Sequence, residues 1–327
     1  MSSRPILTAV ICTRGDRPVL FSKCLESLMD QEEPKTNYEI LIVDNGPRPR
    51  CEKLVDQYRS GGLLRYVHEP ISGLSRARNC GWKNAAGDYV GYIDDDATAS
   101  RKWVSYTIKA FQICRPTPDW VGGPILLDWE KPRPEWVNEE MCVPLGKVYW
   151  GDRPCKLDNN QRLGGGNSIF QRRTLEALGG FDENLGRKGR RLLSGEETQL
   201  QKRIQQKGGV LFYHPDISVW HHVSSTRLRP GWFYRRYFWG GISDSIMGRT
   251  LSRNQDLAGE SEKSDLHGKF HRERFQRLIQ NTTYALGLSS SKKKRIWGRT
   301  YMFYCLGYLL GSLWRTDCQR PERFTRN

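Results

Sequence analysis

The sequence predicts an α/β protein built on a mostly parallel, Rossmann-like sheet with helices on both faces. Short apolar runs rich in β-branched residues occur at Ile6–Thr13, Tyr38–Val43 and Tyr89–Ile93, the pattern of strands buried on both faces. Between the first two runs, Val19–Met29 carries apolar side chains at helical spacing. Strands that alternate with helices indicate a parallel sheet, and such folds bind ligands at the carboxyl ends of their strands.

The other elements follow from the same periodicities. We expect strands at Leu63–His68, Trp120–Leu127, Ser168–Gln171, Gly209–Tyr213 and Ile217–Trp220, and helices at Leu74–Ala86, Lys102–Cys114, Arg173–Leu178 and Gly195–Gln206. Residues 128–161 contain Pro and Trp without clear periodicity, and long irregular segments of this kind are often functional. The polar segment Thr250–Lys269 is predicted to be a loop.

Charge divides the chain near residue 226. The formal net charge is +16, and residues 227–327 contain 20 Lys and Arg against 8 Asp and Glu, a local net charge of +12. We therefore expect one domain over residues 1–226, followed by a basic, aromatic and mainly helical extension. Such an extension suits an anionic membrane, nucleic acid or an acidic acceptor, or it is a solvated surface without a specific partner.

Cysteine usage and the start of the chain indicate a cytoplasmic location. The nine cysteines are an odd number and lack the spacing of a zinc site or redox pair. Met1–Pro5 leads directly into the first apolar run, without the features of a secretory signal. We therefore expect free thiols in a reducing compartment.

Polar clusters follow three of the predicted strands. Thr13-Arg14, Asp44-Asn45 and Asp94-Asp95-Asp96 each stand at a strand's carboxyl end, so the fold should bring them to one edge of the sheet. Carboxylates separated by one residue, as Asp94 and Asp96 are, suit Mn²⁺ or Mg²⁺ bound together with substrate phosphates. Three adjacent carboxylates repel one another, so positive charge is expected nearby. The alternative is a solvated acidic turn.

Three further features suggest chemistry. Arg76 and Arg78 stand near a predicted helix start, where guanidinium and backbone N–H groups suit phosphate, although a basic surface helix is the alternative. Glu196-Glu197 opens a helix, where acids also simply favour the helix dipole. His221 follows a predicted strand and could complete a metal site, or could be hydrogen-bonded near the mouth of a cleft.

Six motifs in order resemble those of family 2 glycosyltransferases with the GT-A fold. They span roughly residues 5–225 and are VICTRGDR, VDNG, GLSRARNCG, YIDDDA, GGGNSIFQRRTLEALGGFDENL and GEETQLQKRIQQKG. The resemblance implies a metal-dependent, inverting, hexosyltransferase-like enzyme that moves a sugar from a nucleotide-diphosphate donor to an acceptor hydroxyl in polysaccharide or glycoconjugate synthesis. It also implies a donor half over about residues 1–127 and an acceptor half over about residues 128–226.

The resemblance also implies roles for individual residues. Thr13 and Asp44 would contact the base and ribose, Arg78 the donor phosphates, Asp94 the ribose or sugar, and Asp96 the metal; Arg14 and Asp95 belong to the same donor-binding set. Gly165, Gly166 and Asn167 would line the sugar and acceptor side. Glu197 matches the catalytic base, with Glu196 as the alternative, because the family commonly has Glu-Asp where this chain has Glu-Glu.

The apolar segment Ile296–Trp314 suggests contact with a membrane surface. It is nineteen residues long, is interrupted by Arg299 and follows the basic run Lys292–Arg295, which suits the headgroup region better than a full span. A buried hairpin and a spanning helix are the alternatives. We expect the protein to lie in the cytoplasm, at the cytoplasmic face of the plasma membrane if this contact forms. A glycan or lipid-linked acceptor would fit such a location.

Two other functions share some of these sequence features. A sugar-nucleotide nucleotidyltransferase would share the sheet and carboxylates but usually has a Gly-rich loop after its first strand, where this chain has only Gly15. A basic nucleic-acid-binding protein could stack bases on Trp232–Trp239, but it would leave both acidic clusters unexplained. Nucleic acid is therefore not expected to be a partner.

Overall fold

The computed structural model describes residues 4–58, 62–258 and 291–313, together with Tyr284 and Leu286; over 251–258 only the backbone is described. The chain forms two compact units. The first comprises residues up to 183, 187–190 and 196–229, and the second comprises 184–186, 191–195 and the residues from 230 onward. The two short segments of the second unit that lie before residue 196 were not expected from the sequence.

The first unit contains a large sheet in the order β3-β2-β1-β4-β9-β6-β10-β8. Strands β9 and β8 run opposite to the other six, so the sheet is mostly parallel, as predicted. Its strands are β1 (Leu7–Thr13), β2 (Tyr38–Asn45), β3 (Leu64–Glu69), β4 (Tyr89–Asp94), β6 (Trp120–Gly122), β8 (Cys155–Lys156), β9 (Asn167–Gln171) and β10 (Leu211–Tyr213).

Helices cover this sheet, and apolar side chains on both of its faces form the core. Alternate residues of β1 and β2 belong to opposite cores: Ile11 and Ile42 to one, Val10 and Val43 to the other. This explains why the strands read as continuous apolar runs rather than as alternating patterns. The helices of this unit are α1 (Pro18–Met29), α2 (Glu52–Asp56), α3 (Leu74–Asn84), α4 (Trp103–Ile113), α5 (Glu139–Cys142), α6 (Arg172–Leu178) and α7 (Glu196–Gln206).

The single strand predicted over Trp120–Leu127 was wrong. The chain forms β6 in the large sheet and β7 (Ile125–Trp129) in a second, three-stranded sheet. Between them lie Gly123 and Pro124. Proline has no N–H to donate to the hydrogen-bond ladder of a sheet, so the strand is interrupted at Pro124. Gly123 allows the backbone to pass close to Ile217, whose carbonyl oxygen would stand 2.0 Å from a Cβ at this position. The chain leaves the large sheet and enters the second sheet at these two residues.

The second sheet has the order β5-β11-β7, with β5 at Ala97–Ala99 and β11 at Val219–Val223. His221 was predicted to follow a strand, but it lies inside β11, paired with Leu127 on one side and Ala97 on the other. Pairing on both sides extends the strand past the predicted end at Trp220. It also places His221 directly beside the end of the acidic triplet.

The described part of the second unit is dominated by two packed helices, α8 (Pro230–Ala258) and α9 (Lys292–Leu313). The backbones of the two helices approach closely at a glycine in each helix. A Cβ on Gly307 of α9 would stand 1.9 Å from the carbonyl oxygen of Phe238, and a Cβ on Gly241 of α8 would stand 2.1 Å from that of Tyr304. The loop predicted over Thr250–Lys269 was wrong up to Ala258, because residues 251–258 contain neither Gly nor Pro and continue α8; the remainder lies outside the described residues.

None of the helices in the described part of the chain has the length and apolar character needed to cross a bilayer. The eight cysteines that the structure describes are free thiols, and Cys318 lies outside the described residues.

Candidate active site

The polar clusters predicted to converge do meet at one edge of the large sheet. In the strand register Thr13 pairs with Asp44 and Cys12 pairs with Asp94, so β1, β2 and β4 end side by side. Strand β9 begins there as well, because Asn167 pairs with Ile93 in the opposite direction. The glycines that precede Asn167 therefore enter at the same edge as the acidic triplet.

Asp44 is fully buried at this edge. Its Oδ2 atom accepts hydrogen bonds from the backbone N–H groups of Arg50 (2.6 Å) and Cys51 (2.8 Å) and from the Tyr66 hydroxyl (3.0 Å). Its Oδ1 atom has no partner among the described residues. One oxygen is thus used to hold the loop after β2. Arg14, by contrast, lies on the surface and pairs with Asp16 at 3.0 Å.

The acidic triplet is surrounded by positive charge, as its mutual repulsion requires. Asp95 accepts a hydrogen bond from the Thr13 hydroxyl (2.6 Å) and pairs with Arg17. Asp96 pairs with Arg17 as well and with Arg227, whose Nη2 atom lies 3.0 Å from Oδ2. Thr13, predicted to face the nucleotide, therefore anchors the middle carboxylate of the triplet.

These surroundings shift the pKa values of the triplet in opposite directions. Burial disfavours the charged form of Asp96, but His221, Arg17 and Arg227 together outweigh burial and hold its pKa well below the ordinary value. Burial raises the pKa of Asp95 to about 6 despite the opposing charge of Arg17, because the flanking carboxylates also repel a third negative charge. Two neighbouring carboxyl groups thus differ strongly in acidity.

Asp94, Asp96 and His221 form a cluster that could hold a metal ion. Each offers a ligand atom, and these atoms all lie within 4.8 Å of one another. The Nε2 atom of His221 is 3.3 Å from Oδ1 of Asp96, and the Asp94 side chain is 41% exposed, so a ligand can reach it. Two carboxylates and an imidazole are suitable ligands for Mn²⁺, and the residues present therefore fit the ion.

Arg78 connects this cluster to the second acidic site. It is buried, and its guanidinium lies 2.7 Å from Oε1 of Glu196 and 3.8 Å from Oδ1 of Asp94. It also lies over the Phe181 ring, 5.5 Å from the centroid. Ionic partners on both sides outweigh burial and raise its pKa above the ordinary value, so the side chain carries a fixed positive charge.

Glu196 and Glu197 at the start of α7 have different surroundings. Glu196 is buried against Arg78; burial and the nearby Glu197 raise its pKa above the ordinary value although Arg78 lowers it. Glu197 is only partly buried, and the Oε2 atoms of both glutamates are buried without a hydrogen-bond partner among the described residues. Of the two carboxylates, Glu196 pairs through Oε1 with Arg78, whereas Glu197 is the more exposed.

Gly165 and Gly166 pass directly against the charged groups of the site. A Cβ on Gly165 would stand 2.8 Å from Nη2 of Arg78, and a Cβ on Gly166 would stand 2.6 Å from Oδ2 of Asp94. Asn167 differs from the expectation that it lines the sugar side. Its fully buried amide accepts from the indole N–H of Trp103 and donates to the carbonyl oxygen of Ile217, so the side chain ties β9 to α4 and to the segment before β11.

We predict that Gly166→Ala lowers kcat by about a hundredfold. The new methyl group would displace the Asp94 carboxylate, and misplacement of a catalytic group by about 1 Å can cost that factor. Gly231→Ala is the control, because its Cβ would meet nothing within 4 Å. Steady-state kinetics, with thermal unfolding to verify the fold, measures the difference. Equal kcat values for the two variants would contradict the close packing described here.

Two residues of the site were not identified from the sequence, namely Arg17 and Arg227. The repulsion within the triplet did predict nearby positive charge, and Arg17 stands within the VICTRGDR motif, so that signal could have located it. Arg227 lies 131 residues after Asp96 in a short 3₁₀ turn after β11, and nothing local in the sequence indicates its role.

Comparison with known proteins agrees with this geometry. The model of the glycosyl transferase family 2 matches residues 8–175. The glucosyl-dolichyl phosphate glucuronosyltransferase of Haloferax volcanii is 29% identical over 247 residues, covering 74% of this chain and 77% of that protein. The succinoglycan biosynthesis protein ExoM of Rhizobium meliloti is 27% identical over 265 residues, covering 76% of this chain and 79% of that protein.

Among solved structures, the mannosyltransferase PcManGT of Pyrobaculum calidifontis, in complex with GDP-Man and Mn²⁺, is similar with a TM-score of 0.58. The match covers 96% of this chain and 88% of that chain at 19% identity, so it supports the fold alone.

The sheet, its acidic edge and these similarities define a glycosyltransferase of the GT-A fold. The chain belongs to glycosyl transferase family 2. The predicted fold class and family are confirmed.

Proposed function

We propose that this glycosyltransferase moves a sugar from a nucleotide-diphosphate donor to an acceptor hydroxyl in one displacement, with inversion at the anomeric carbon. The observation that carries the proposal is the position of Arg78, which contacts Glu196 on one side and Asp94 on the other. It joins the acidic start of α7 to the triplet at the end of β4. A donor held at the triplet and a base on α7 would therefore face the same space.

The donor diphosphate would bind between the triplet and the arginines. Asp94, Asp96 and His221 would hold Mn²⁺ or Mg²⁺, which in such enzymes neutralises the charge that develops on the leaving diphosphate. Arg78 supplies a fixed positive charge near the same place. The buried Oδ1 of Asp44 has no partner in the part of the chain that the structure describes, which supports a role for this residue toward the base or ribose. Arg14 stays a proposed donor contact.

We assign the catalytic base to Glu197. The acceptor hydroxyl must lose its proton as it attacks, and a positioned carboxylate that takes this proton contributes about 10²–10⁴-fold. The partial exposure of Glu197 supports this assignment, whereas the ion pair with Arg78 ties the buried Glu196 to positioning. Gly165 and Gly166, which pass close to Arg78 and Asp94, would line the sugar side.

The acceptor is proposed to be a glycan or a lipid-linked glycan. The relative from Haloferax volcanii is named for glucosyl-dolichyl phosphate, and the relative from Rhizobium meliloti for succinoglycan biosynthesis. Both names concern carbohydrate assembled on a carrier or as a polymer. We place the reaction in polysaccharide or glycoconjugate synthesis and on the cytoplasmic side of the membrane.

The test is a panel of nucleotide-diphosphate sugars incubated with the full chain, with and without Mn²⁺. We expect slow release of nucleoside diphosphate from one donor, only when the ion is present, because water can replace the acceptor. Mg²⁺ in a parallel series shows which ion serves. Release of inorganic pyrophosphate instead would indicate a nucleotidyltransferase, and failure of every donor would refute the proposal. Once an acceptor is found, nuclear magnetic resonance of the product shows whether the anomeric configuration has inverted.

A further inference from the structure

Helix α9 has two apolar sides, only one of which is covered by α8. The covered side is made of small and aromatic residues, among them Thr300, Gly307 and Gly311, all buried. The other side carries large apolar side chains that are 40–78% exposed: Met302, Phe303, Leu306, Leu309, Leu310 and Leu313. Phe303 stands at the edge of this side, where its ring also stacks on Tyr234 of α8 with the centroids 5.3 Å apart. A surface helix normally presents polar residues to water, and a helix that is apolar all round normally has a partner on each side.

The six exposed residues form one continuous surface, here called the apolar stripe. At 100° per residue their positions fall within roughly 120° of the helix circumference, and at 1.5 Å per residue they extend over about 17 Å. The scattered exposure of single apolar residues is ordinary, whereas contiguous apolar residues beside charged ones are a feature of interaction sites.

Exposed lysines precede the apolar stripe on the same helix. Lys292, Lys293 and Lys294 form the first turn of α9 and are exposed, and residues 227–327 together carry a net charge of +12. A helix that combines large apolar side chains with a basic end suits the boundary between anionic headgroups and acyl chains. It is too polar at its start to be a span, in agreement with the absence of a spanning helix from the described residues.

We infer that the apolar stripe of α9 docks onto an anionic lipid bilayer, with Lys292–Lys294 over the headgroups. A second copy of this chain is disfavoured as the occupant because it would bring the same excess of positive charge to the contact. Nucleic acid would match the lysines but not the leucines. A bilayer is the one partner that satisfies both parts of the surface.

This inference goes beyond the proposed function, since it uses no residue of the candidate active site. It gives the extension a purpose that the sugar-transfer chemistry does not require. An enzyme held at the bilayer would meet lipid-linked acceptors at raised local concentration, but docking itself is independent of what the acceptor is.

Flotation of the full chain with vesicles tests the inference. We expect co-flotation with phosphatidylglycerol-containing phosphatidylcholine vesicles, weakened at high salt, and little with phosphatidylcholine alone. The double variant Leu306→Glu/Leu309→Glu should lower the partition coefficient by about a hundredfold. Replacing Lys292, Lys293 and Lys294 by Gln should also cost on the order of a hundredfold. Ile113→Glu, at an apolar residue of the first unit that is 61% exposed, is the matched control and should float like the wild type.

Three outcomes would overturn the inference. The first is the absence of flotation at low salt, which would mean that another segment of this chain or nothing covers the stripe. The second is equal flotation of the leucine variant and the wild type. The third is a wild-type dimer in sedimentation that dissociates in the leucine variant, which would make the stripe a contact between copies. Metal-dependent release of nucleoside diphosphate should be unchanged in the leucine variant, so this test and that of the proposed function fail separately.

Discussion

Glu197→Gln is expected to lower kcat for transfer by about 10²–10⁴-fold while leaving the donor dissociation constant within about threefold of the wild type. The amide cannot accept the acceptor's proton, but it fills the same volume. The candidate metal cluster of Asp94, Asp96 and His221 does not include Glu197, so donor binding should persist. Steady-state kinetics with acceptor, together with calorimetric titration of the donor, separates the two effects.

Two neighbouring variants control this experiment. Glu197→Asp introduces the shorter acid that the family commonly has at this position. It should retain activity within about tenfold because a carboxylate is still present. Glu196→Gln should instead lower the free energy of unfolding by about 1–3 kcal/mol, since it removes the buried ionic partner of Arg78. If Glu196→Gln abolishes turnover without destabilising the protein, while Glu197→Gln remains active, the base has been assigned to the wrong residue.

Asp96→Asn is expected to abolish Mn²⁺-dependent donor binding and to lower activity by roughly a thousandfold, because a metal site supplies several kcal/mol of transition-state stabilisation. The substitution removes a carboxylate that meets His221, Arg17 and Arg227 together. Calorimetry of donor binding with and without Mn²⁺ measures the loss. Asp88→Asn, immediately before the amino end of β4, is the matched control and should bind the donor normally.

Arg227→Gln should act in the opposite direction on the metal. Its guanidinium contacts Oδ2 of Asp96 at 3.0 Å and Nε2 of His221 at 3.2 Å, so it competes with a cation for both ligands. Without donor, we expect this variant to bind Mn²⁺ several-fold more tightly, as measured by electron paramagnetic resonance of the free ion. If Asp96→Asn and Arg227→Gln both bind Mn²⁺ as the wild type does, Asp96 does not hold the metal.

Much of the large sheet was predictable because its strands are buried on both faces. Continuous apolar runs located β1, β2 and β4, and the polar residues at their ends located the ligand-binding edge. The errors occurred where pairing or steric contact overrides local pattern. The break between β6 and β7 depends on the carbonyl oxygen of Ile217 beside Gly123, and β11 continues through His221 because β5 and β7 flank it.

The site was predictable only in part, for the same physical reason. Asp94, Asp96 and His221 do form one cluster, and the repulsion within the triplet correctly indicated nearby cations. Their identity was not accessible, since Arg227 reaches Asp96 across 131 residues of chain. Asn167 was expected to face the substrate because it belongs to a motif, but its side-chain amide is hydrogen-bonded to Trp103 and Ile217 inside the protein.

The sequence by itself determined the α/β class, the family and the edge at which the chemistry lies, because hydrophobic periodicity and strand-end polarity are local properties of the chain. Only the tertiary structure decided which cations neutralise the triplet, which of the two glutamates is bound to Arg78, and which side of α9 is left apolar and exposed. Those depend on contacts between segments that are distant along the chain, and their energies exist only once the chain has folded.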